Sequence, residues 1–334
     1  MTDTITLPRI TDEVEMHAEP NADLAFTGVV TERREVADGV VELTLAAPDG
    51  TDLPVWEPGA HIDLVLPDGL VRQYSLCGDP GDRSSYRVAI LREPEGRGGS
   101  RWLHDELTAG TQLGIQGPRN HFPLHSSPRY LFIAGGIGVT PLLPMVRAAE
   151  AAGADWRMVY GGRSAATMSY QDELEVHGER VLFWPEDSNG RIDLESLLGT
   201  PAEDTLVYCC GPEPLLAAVE ERCGIWPAGS LNIEHFSPAE LDESTNTAFE
   251  VELQASEMTL QVPADQSILD VVTEAGIFVP TSCTEGTCGS CETPVLEGRP
   301  DHRDVVLSPE EQEASETMMI CVSRCKGKKL ILDL

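Results

Sequence analysis

The chain has 334 residues, 41% of them hydrophobic, which suits two or three packed domains and excludes a globally disordered polymer. A formal charge of −33 excludes a nucleic-acid binder, because phosphate contacts need a surplus of Lys and Arg. No apolar run approaches the roughly 20 residues that cross a bilayer.

Residues 1–23 are polar and lack a basic stretch followed by an apolar one, so they read as a flexible leader and not as a secretory signal. Nine cysteines without an export signal imply a reducing cytoplasm, where clustered thiols bind metal or do chemistry more often than they form disulfides. From 24 to 126 short β-branched runs alternate with polar residues and are punctuated by ADG, PDG and GDPGD, which predicts an antiparallel β-barrel or sandwich with one short helix at WLHDEL. From 127 to 232 apolar strands (RYLFIAGG, RMVYGG, VLFWPED, TLVYCCG) alternate with helix-like stretches, the signature of a parallel sheet covered on both faces. Residues 233–247 are polar and acidic and read as a linker. From 248 to 334 a hairpin (FEVELQASEMTLQVPAD), an amphipathic helix (SILDVVTEAG), a cysteine loop and a closing strand predict a small α+β domain.

The cysteine loop, PTSCTEGTCGSCETPV, spaces Cys283, Cys288 and Cys291 as C-x4-C-x2-C, with Cys321 a further x29 on. That is the plant-type [2Fe–2S] pattern: two tetrahedral irons share two sulfides and need four thiolates. Gly286, Gly289, Ser290, Thr284 and Thr287 are small enough to let backbone N–H groups turn toward the sulfurs. A structural zinc site would want a second C-x2-4-C knuckle, which only Cys325 could complete. A dithiol at Cys288 and Cys291 would want a βαβ neighbour, and disulfides conflict with the compartment. Cys77, Cys209 and Cys223 sit in or beside apolar runs and read as packing.

AGGIGVTP (Ala134–Pro141) and CCGPEP (Cys209–Pro214) each join a strand to a helix. Two such loops at strand C-termini mark a crevice where nucleotides bind, with helix N-termini favouring a diphosphate. YGGR (Tyr160–Arg163) adds a cation at a third strand end. In the first segment RQYSL (Arg72–Leu76) combines a cation, a ring and a hydroxyl, and GRGGS (Gly96–Ser100) could hold a phosphate. An edge-strand arginine, a solvated turn and a tight strand–helix turn are the bland alternatives for each stretch alone.

In sequence order, R-x-Y-S at Arg72–Ser75, GGIGVTP with CGP, and C-x4-C-x2-C…C resemble the phthalate dioxygenase reductase family, with vanillate O-demethylase reductases among its relatives. The likeness runs from about residue 24 to the end of the sequence. It implies an FMN-binding antiparallel β-barrel, an NAD-binding α/β parallel-sheet domain and a β-grasp ferredoxin. GPRNHFPL (Gly117–Leu124) replaces the G-P-x-G-x-F of many FAD-binding cousins and resembles the FMN branch. By the same resemblance Arg72, Gln73, Tyr74 and Ser75 line the flavin ring, and Arg97, Gly98, Gly99 and Ser100 hold its phosphate. Gly135, Gly136, Gly138, Thr140, Arg163, Gly211 and Pro212 meet the pyridine nucleotide. Phe236 packs near the flavin, while Ser75 and Cys210 flank the hydride-transfer centre. Cys283, Cys288, Cys291 and Cys321 hold the cluster.

The implied route is NADH to FMN to [2Fe–2S] to a Rieske-type oxygenase that hydroxylates or demethylates an aromatic or similar small substrate. A free-standing NAD(P)H reductase serving another ferredoxin or a haem protein is the alternative. A non-catalytic carrier would not need the intact RQYSL, GGIGVTP and CGP. Arg163 and Ser164 could meet a 2′-phosphate, so the choice of NADH rests on the resemblance. Self-contained domains point to a monomer, the acidic SPEEQEASE run (Ser308–Glu316) could belong to a docking face, and the eight histidines carry no assigned role.

Overall fold

The computed structural model describes residues 25–334 except 68, 95, 97, 240 and 242; the expected leader and Arg97 therefore lie outside the described residues. Six strands form the first sheet: β1 (Ala25–Ala37), β2 (Val40–Ala46), β3 (His61–Val65), β4 (Val71–Ser75), β5 (Tyr86–Leu91) and β6 (Gln112–Arg119). Their order is β4-β3-β6-β1-β2-β5, every pair antiparallel, and a bridge from Leu76 to Val88 joins the two edges into a barrel. The period of two decides which side chains fill it. Along β5, Tyr86, Val88 and Ile90 point into the barrel core, whereas Ala89 points out. Helix α1 (Gly99–Asp105) covers one end through buried Leu103.

The second sheet holds β7 (Arg129–Gly135), β8 (Asp155–Gly162), β9 (Val181–Pro185), β10 (Thr205–Cys210) and β11 (Leu231–Glu234), all parallel, in the order β11-β10-β7-β8-β9. Helices α2 (Val139–Ala151), α3 (Gln171–Glu175), α4 (Glu186–Asn189), α5 (Leu194–Leu198) and α6 (Glu213–Cys223) connect the strands. The order reverses between β7 and β10, so the two glycine loops emerge side by side at the switch point. Strand β11 corrects one expectation, since the stretch read as linker begins in the sheet. Its residues Asn232, Ile233 and Glu234 pair with Tyr208, Cys209 and Cys210. A four-residue edge strand containing Asn and Glu carries too little alternation to stand out in sequence.

The third unit contains β12 (Phe249–Leu253), β13 (Met258–Val262), α7 (Ile268–Glu274), β14 (Glu292–Glu297), β15 (Pro300–Asp301), α8 (Pro309–Ala314), β16 (Thr317–Met319), β17 (Arg324–Cys325) and β18 (Lys329–Leu332). Its main sheet runs β13-β12-β18-β14-β16, with β12 and β18 parallel, and α7 packs across it through Ile268, Leu269, Val271 and Val272. Ser267 and Asp270 form a capping box that starts α7. The acidic run is partly helical, because Ser308 and Glu311 make the same box around Pro309 at the first helical position.

The barrel and the parallel sheet share a core. Val40, Cys77 and Ala89 from the barrel exterior pack with Phe122, Val139, Leu142 and Met145. A polar chain reinforces this contact: Glu42 to Arg87 (3.0 Å), Arg87 to Glu173 (2.9 Å) and Glu173 to Arg147 (2.7 Å). Arg147 also donates to the Gly78 carbonyl at 2.6 Å. Shared apolar burial plus a network of close ion pairs fixes one unit against the other, and the cavity between them inherits that rigidity.

Candidate active site

A cavity of 390 Å³ opens where the three units meet, within the size range of small-molecule and cofactor sites. The barrel lines it with His61, Arg72–Ser75, Ala89, Leu91, Gly99 and Ser100. The parallel sheet contributes Ile137, Thr140, Glu234 and Phe236, and the cysteine loop contributes Cys283, Glu285 and Thr287.

Strand β4 presents the R-Q-Y-S run along the cavity wall. Arg72 lies over Gly99, where an added Cβ would stand 2.9 Å from the Arg72 Cγ. The absence of a side chain at Gly99 thus lets strand and loop meet, bringing Arg72, Gly98, Gly99 and Ser100 together. The Ser100 hydroxyl accepts from the Glu93 amide at 3.0 Å and retains its proton for a ligand. Two buried polar atoms on this wall, Gln73 Nε2 and His61 Nε2, have no hydrogen-bond partner among the described residues. Both atoms are buried on residues that line the cavity, and an orphaned buried polar atom is costly. An amphipathic ring with heteroatoms on its edge and a phosphate beyond it fits this wall, as a flavin mononucleotide would.

The floor is built from residues far apart in sequence. Pairing of Cys210 with Glu234 across β10 and β11 sets the carboxyl between the Cys210 thiol, which donates to Glu234 Oε2 at 3.8 Å, and the Ser75 hydroxyl, which donates to the same oxygen at 3.5 Å. Burial pushes the Glu234 carboxyl up to about 8, so it holds its proton at neutral pH. Burial, then the neighbouring carboxyl, raises the Cys210 thiol well above its ordinary value, which keeps it neutral too. Tyr74 is likewise shifted up by burial. The floor is therefore polar but uncharged. Glu234 was not legible as a site residue, because a lone acid in NIEHF has no local signal until β11 is known.

The glycine loops lie against each other. A Cβ at Gly138 would fall 2.2 Å from the Cys210 carbonyl oxygen, and one at Gly135 would fall 2.7 Å from Pro212. Packing between the two loops therefore demands these glycines, beside any approach of a diphosphate. Gly136, with φ +55, has nothing within 4 Å of its missing side chain. Thr140 is buried, donates to the Ile137 carbonyl at 2.9 Å and reaches the cavity. Gly135, Gly136, Gly138, Cys210, Gly211 and Pro212 are not among the residues that line the cavity. Arg163 stands at the end of β8, outside the lining, its carbonyl accepting from the Asp187 amide at 3.1 Å. Phe236 is 42% exposed at the rim.

All four predicted cluster cysteines are buried and gathered. Cys283 is in thiol contact with Cys288, Cys291 with Cys321, and Cys283 also with Cys321, which gives the two pairs that a two-iron cluster needs. Backbone amides of Glu285 and Thr287 donate to Cys283 Sγ at 3.3 and 3.4 Å, and the Ser290 amide donates to Cys288 Sγ at 3.4 Å. Gly286 and Gly289 take φ of +72 and +70, and Thr284 takes +58, so the loop curls its amides inward. These donors match the negative charge of a thiolate-bound cluster. Among the described residues no three ligating side chains converge to hold a single metal ion. Cys325 accepts from the Gly327 amide at 3.2 Å and is not one of the gathered thiols.

A parallel sheet with two apposed glycine loops, a barrel wall with orphaned donors and a four-thiol loop define a pyridine-nucleotide-dependent flavin and iron–sulfur oxidoreductase. The sequence matches the 2Fe-2S iron-sulfur cluster binding domain over residues 251–326 and the oxidoreductase NAD-binding domain over 132–221. It is 44% identical over 301 residues to the phenoxybenzoate dioxygenase subunit beta of Ectopseudomonas oleovorans, covering 89% of this chain and 94% of that one. The solved structure of phthalate dioxygenase reductase is 35% identical with a TM-score of 0.68, covering 93% of this chain and 98% of that one. The structure of an intact type IV self-sufficient cytochrome P450 monooxygenase is 46% identical with a TM-score of 0.88; the match covers 93% of this chain but spans only 41% of that one. The chain belongs to the phthalate dioxygenase reductase family. Among the described residues no helix is long and apolar enough to cross a membrane.

Proposed function

We propose that this chain is the reductase of an oxygenase system, drawing electrons from NADH and delivering them singly to an oxygenase. The observation that carries the reading is the shared cavity: the R-Q-Y-S strand, the Thr140 and Glu234 side of the parallel sheet and the cluster ligand Cys283 line one space. Bound flavin accepts the two electrons of a hydride and releases them one at a time, and a [2Fe–2S] cluster takes one.

The residues of this chain do the placing. Arg72, Gly98, Gly99 and Ser100 would hold the FMN phosphate, and the sequence motif adds Arg97 to that set. Gln73, Tyr74 and Ser75 would hold the ring edge, and Phe236 at the rim would cover its face. Gly135, Gly136, Gly138, Thr140, Gly211 and Pro212 would receive the nicotinamide nucleotide, and Arg163 its distal end. Ser75 and Cys210 would flank the reacting atoms. The neutral Glu234 would keep the floor free of negative charge, so nothing opposes the negative charge that arrives with a hydride. Cys283, Cys288, Cys291 and Cys321 would bind the cluster on the opposite wall.

The acceptor in this reading is a Rieske-type oxygenase acting on an aromatic or similar small molecule, with the reductase a cytoplasmic monomer of a barrel (24–126), a nucleotide domain that runs from 127 through the end of β11 at Glu234, a linker from 235 to 247 and a ferredoxin (248–334). A dioxygenase subunit among its relatives supports that choice. A haem acceptor is the second reading, favoured by the 46% identity to a self-sufficient P450 chain. Reconstituted turnover separates them. The purified protein, loaded with FMN and cluster, should support NADH-driven product formation by a Rieske oxygenase; support of a P450 alone would select the second reading, and support of neither would overturn both.

A further inference from the structure

The barrel carries a second built contact, made with the cysteine loop rather than with a cofactor. The Thr287 hydroxyl donates to Gln73 Oε1 at 3.2 Å, although the two residues stand 214 positions apart. Accepting that bond fixes the orientation of the Gln73 amide and leaves its buried Nε2 without a partner on the cavity wall. The Thr287 backbone amide also donates to Cys283 Sγ at 3.4 Å. On the other side of Cys288, the His121 imidazole packs against the backbone of Gly289. A Cβ at Gly289 would fall 2.3 Å from His121 Nε2, so this glycine admits the imidazole. The His61 ring lies 5.8 Å from His121, centroid to centroid.

We propose that Thr287 with Gln73, and Gly289 with His121, are two pins that seat the cysteine loop on the barrel and hold the cluster in register with the flavin cavity. The pins flank Cys288, and they originate from β4 and from just beyond β6, two elements separated by β3 alone in the sheet. Two such points resist rotation of the loop, which a single contact would not. One pin is continuous with the cavity wall at one end and with a cluster thiol at the other. Thr287 and His121 are positioning residues: they act on where the cluster sits and not on the reacting atoms.

This inference rests on the proposed passage of electrons from flavin to cluster, and the wild-type control tests that passage separately. The variants are Thr287→Val, which removes the hydroxyl at nearly constant shape, Thr287→Ser, which keeps it, and His121→Ala. In the FMN- and cluster-loaded protein, NADH-driven reduction of ferricyanide reports the flavin, and reduction of cytochrome c reports the cluster. Thr287→Val should lower the ratio of the cytochrome c rate to the ferricyanide rate about fivefold, the worth of one hydrogen bond at about 1 kcal/mol. His121→Ala should act in the same direction, and Thr287→Ser should restore the wild-type ratio. Hydrogen exchange supplies a readout independent of turnover: amides over 71–75 and 117–122 should exchange faster in Thr287→Val and His121→Ala, with cluster absorbance unchanged.

Unchanged cytochrome c rates and unchanged exchange would overturn the pins. An equal fall in both acceptor rates would overturn them also, since it would place the effect at the flavin or in the fold. Failure of Thr287→Ser to rescue would do the same. If wild type itself reduces ferricyanide but never cytochrome c, the underlying passage of electrons fails instead.

Discussion

Replacing Glu234 by Gln tests the uncharged floor. In the unfolded chain the carboxyl ionises near its ordinary 4.5, and in the folded protein near 8. Below 4.5 both states carry the proton and this group leaves stability untouched. Between the two values the unfolded state gives up its proton while the folded state keeps it, so stability falls as pH rises. Above 8 both are ionised and the loss is complete. At about 1.36 kcal/mol per pH unit the gap is worth about 5 kcal/mol at its limit, and about half of that once water in the cavity screens the charge. Glutamine cannot ionise, and its carbonyl still accepts from Ser75. Wild type and Glu234→Gln should have similar relative stabilities near pH 5 and separate as pH rises, until the variant melts about 5–10 °C above wild type near pH 9. Thermal unfolding followed by circular dichroism at intervals from pH 5 to 9 reads this directly. Parallel curves, or a wild type that gains on the variant with rising pH, would refute a protonated Glu234.

Three further outcomes follow from the same geometry. Gly138→Ala must part the glycine loops, because the atoms in its way are the backbone of Cys210 and Gly211. NADH-driven reduction should fall about 5- to 150-fold for a strain of about 1–3 kcal/mol, while dithionite still reduces the cluster. Asp63 and Arg119 form a buried pair at 2.5 Å, so Asp63→Ala strands a buried cation and should cost about 3–5 kcal/mol by denaturant unfolding. Asp63→Leu combined with Arg119→Met should recover most of that loss. Cys321→Ser should abolish the [2Fe–2S] absorbance and paramagnetic signal, whereas Cys325→Ser should leave both intact.

The cysteine loop was legible because four thiolates at fixed spacing are a chemical requirement, and no packing rule produces the same pattern. Strand–glycine–helix turns were legible for a related reason: backbone that passes close to backbone excludes side chains. Gly135 and Gly138 show the limit of that inference, since much of what they admit is the CGP loop itself. Glu234 was hidden because its importance comes from the pairing of β11 with β10, and an acid in a polar stretch looks solvated until it is paired. His61 and His121 were hidden for the same physical reason: they meet only when β3 and β6 lie side by side. The acidic run at Ser308 did contain a readable helix start in Ser-Pro-Glu-Glu, which its charge obscured.

In the proposed function, electrons cross from the nucleotide side of the cavity to the cysteine loop within this one chain. Anaerobic titration of the FMN- and cluster-loaded protein with NADH, followed by absorbance and electron paramagnetic resonance, tests it most directly. The flavin should bleach and a reduced [2Fe–2S] signal should approach about one spin per chain. A flavin that bleaches while the cluster stays oxidised and silent would contradict it.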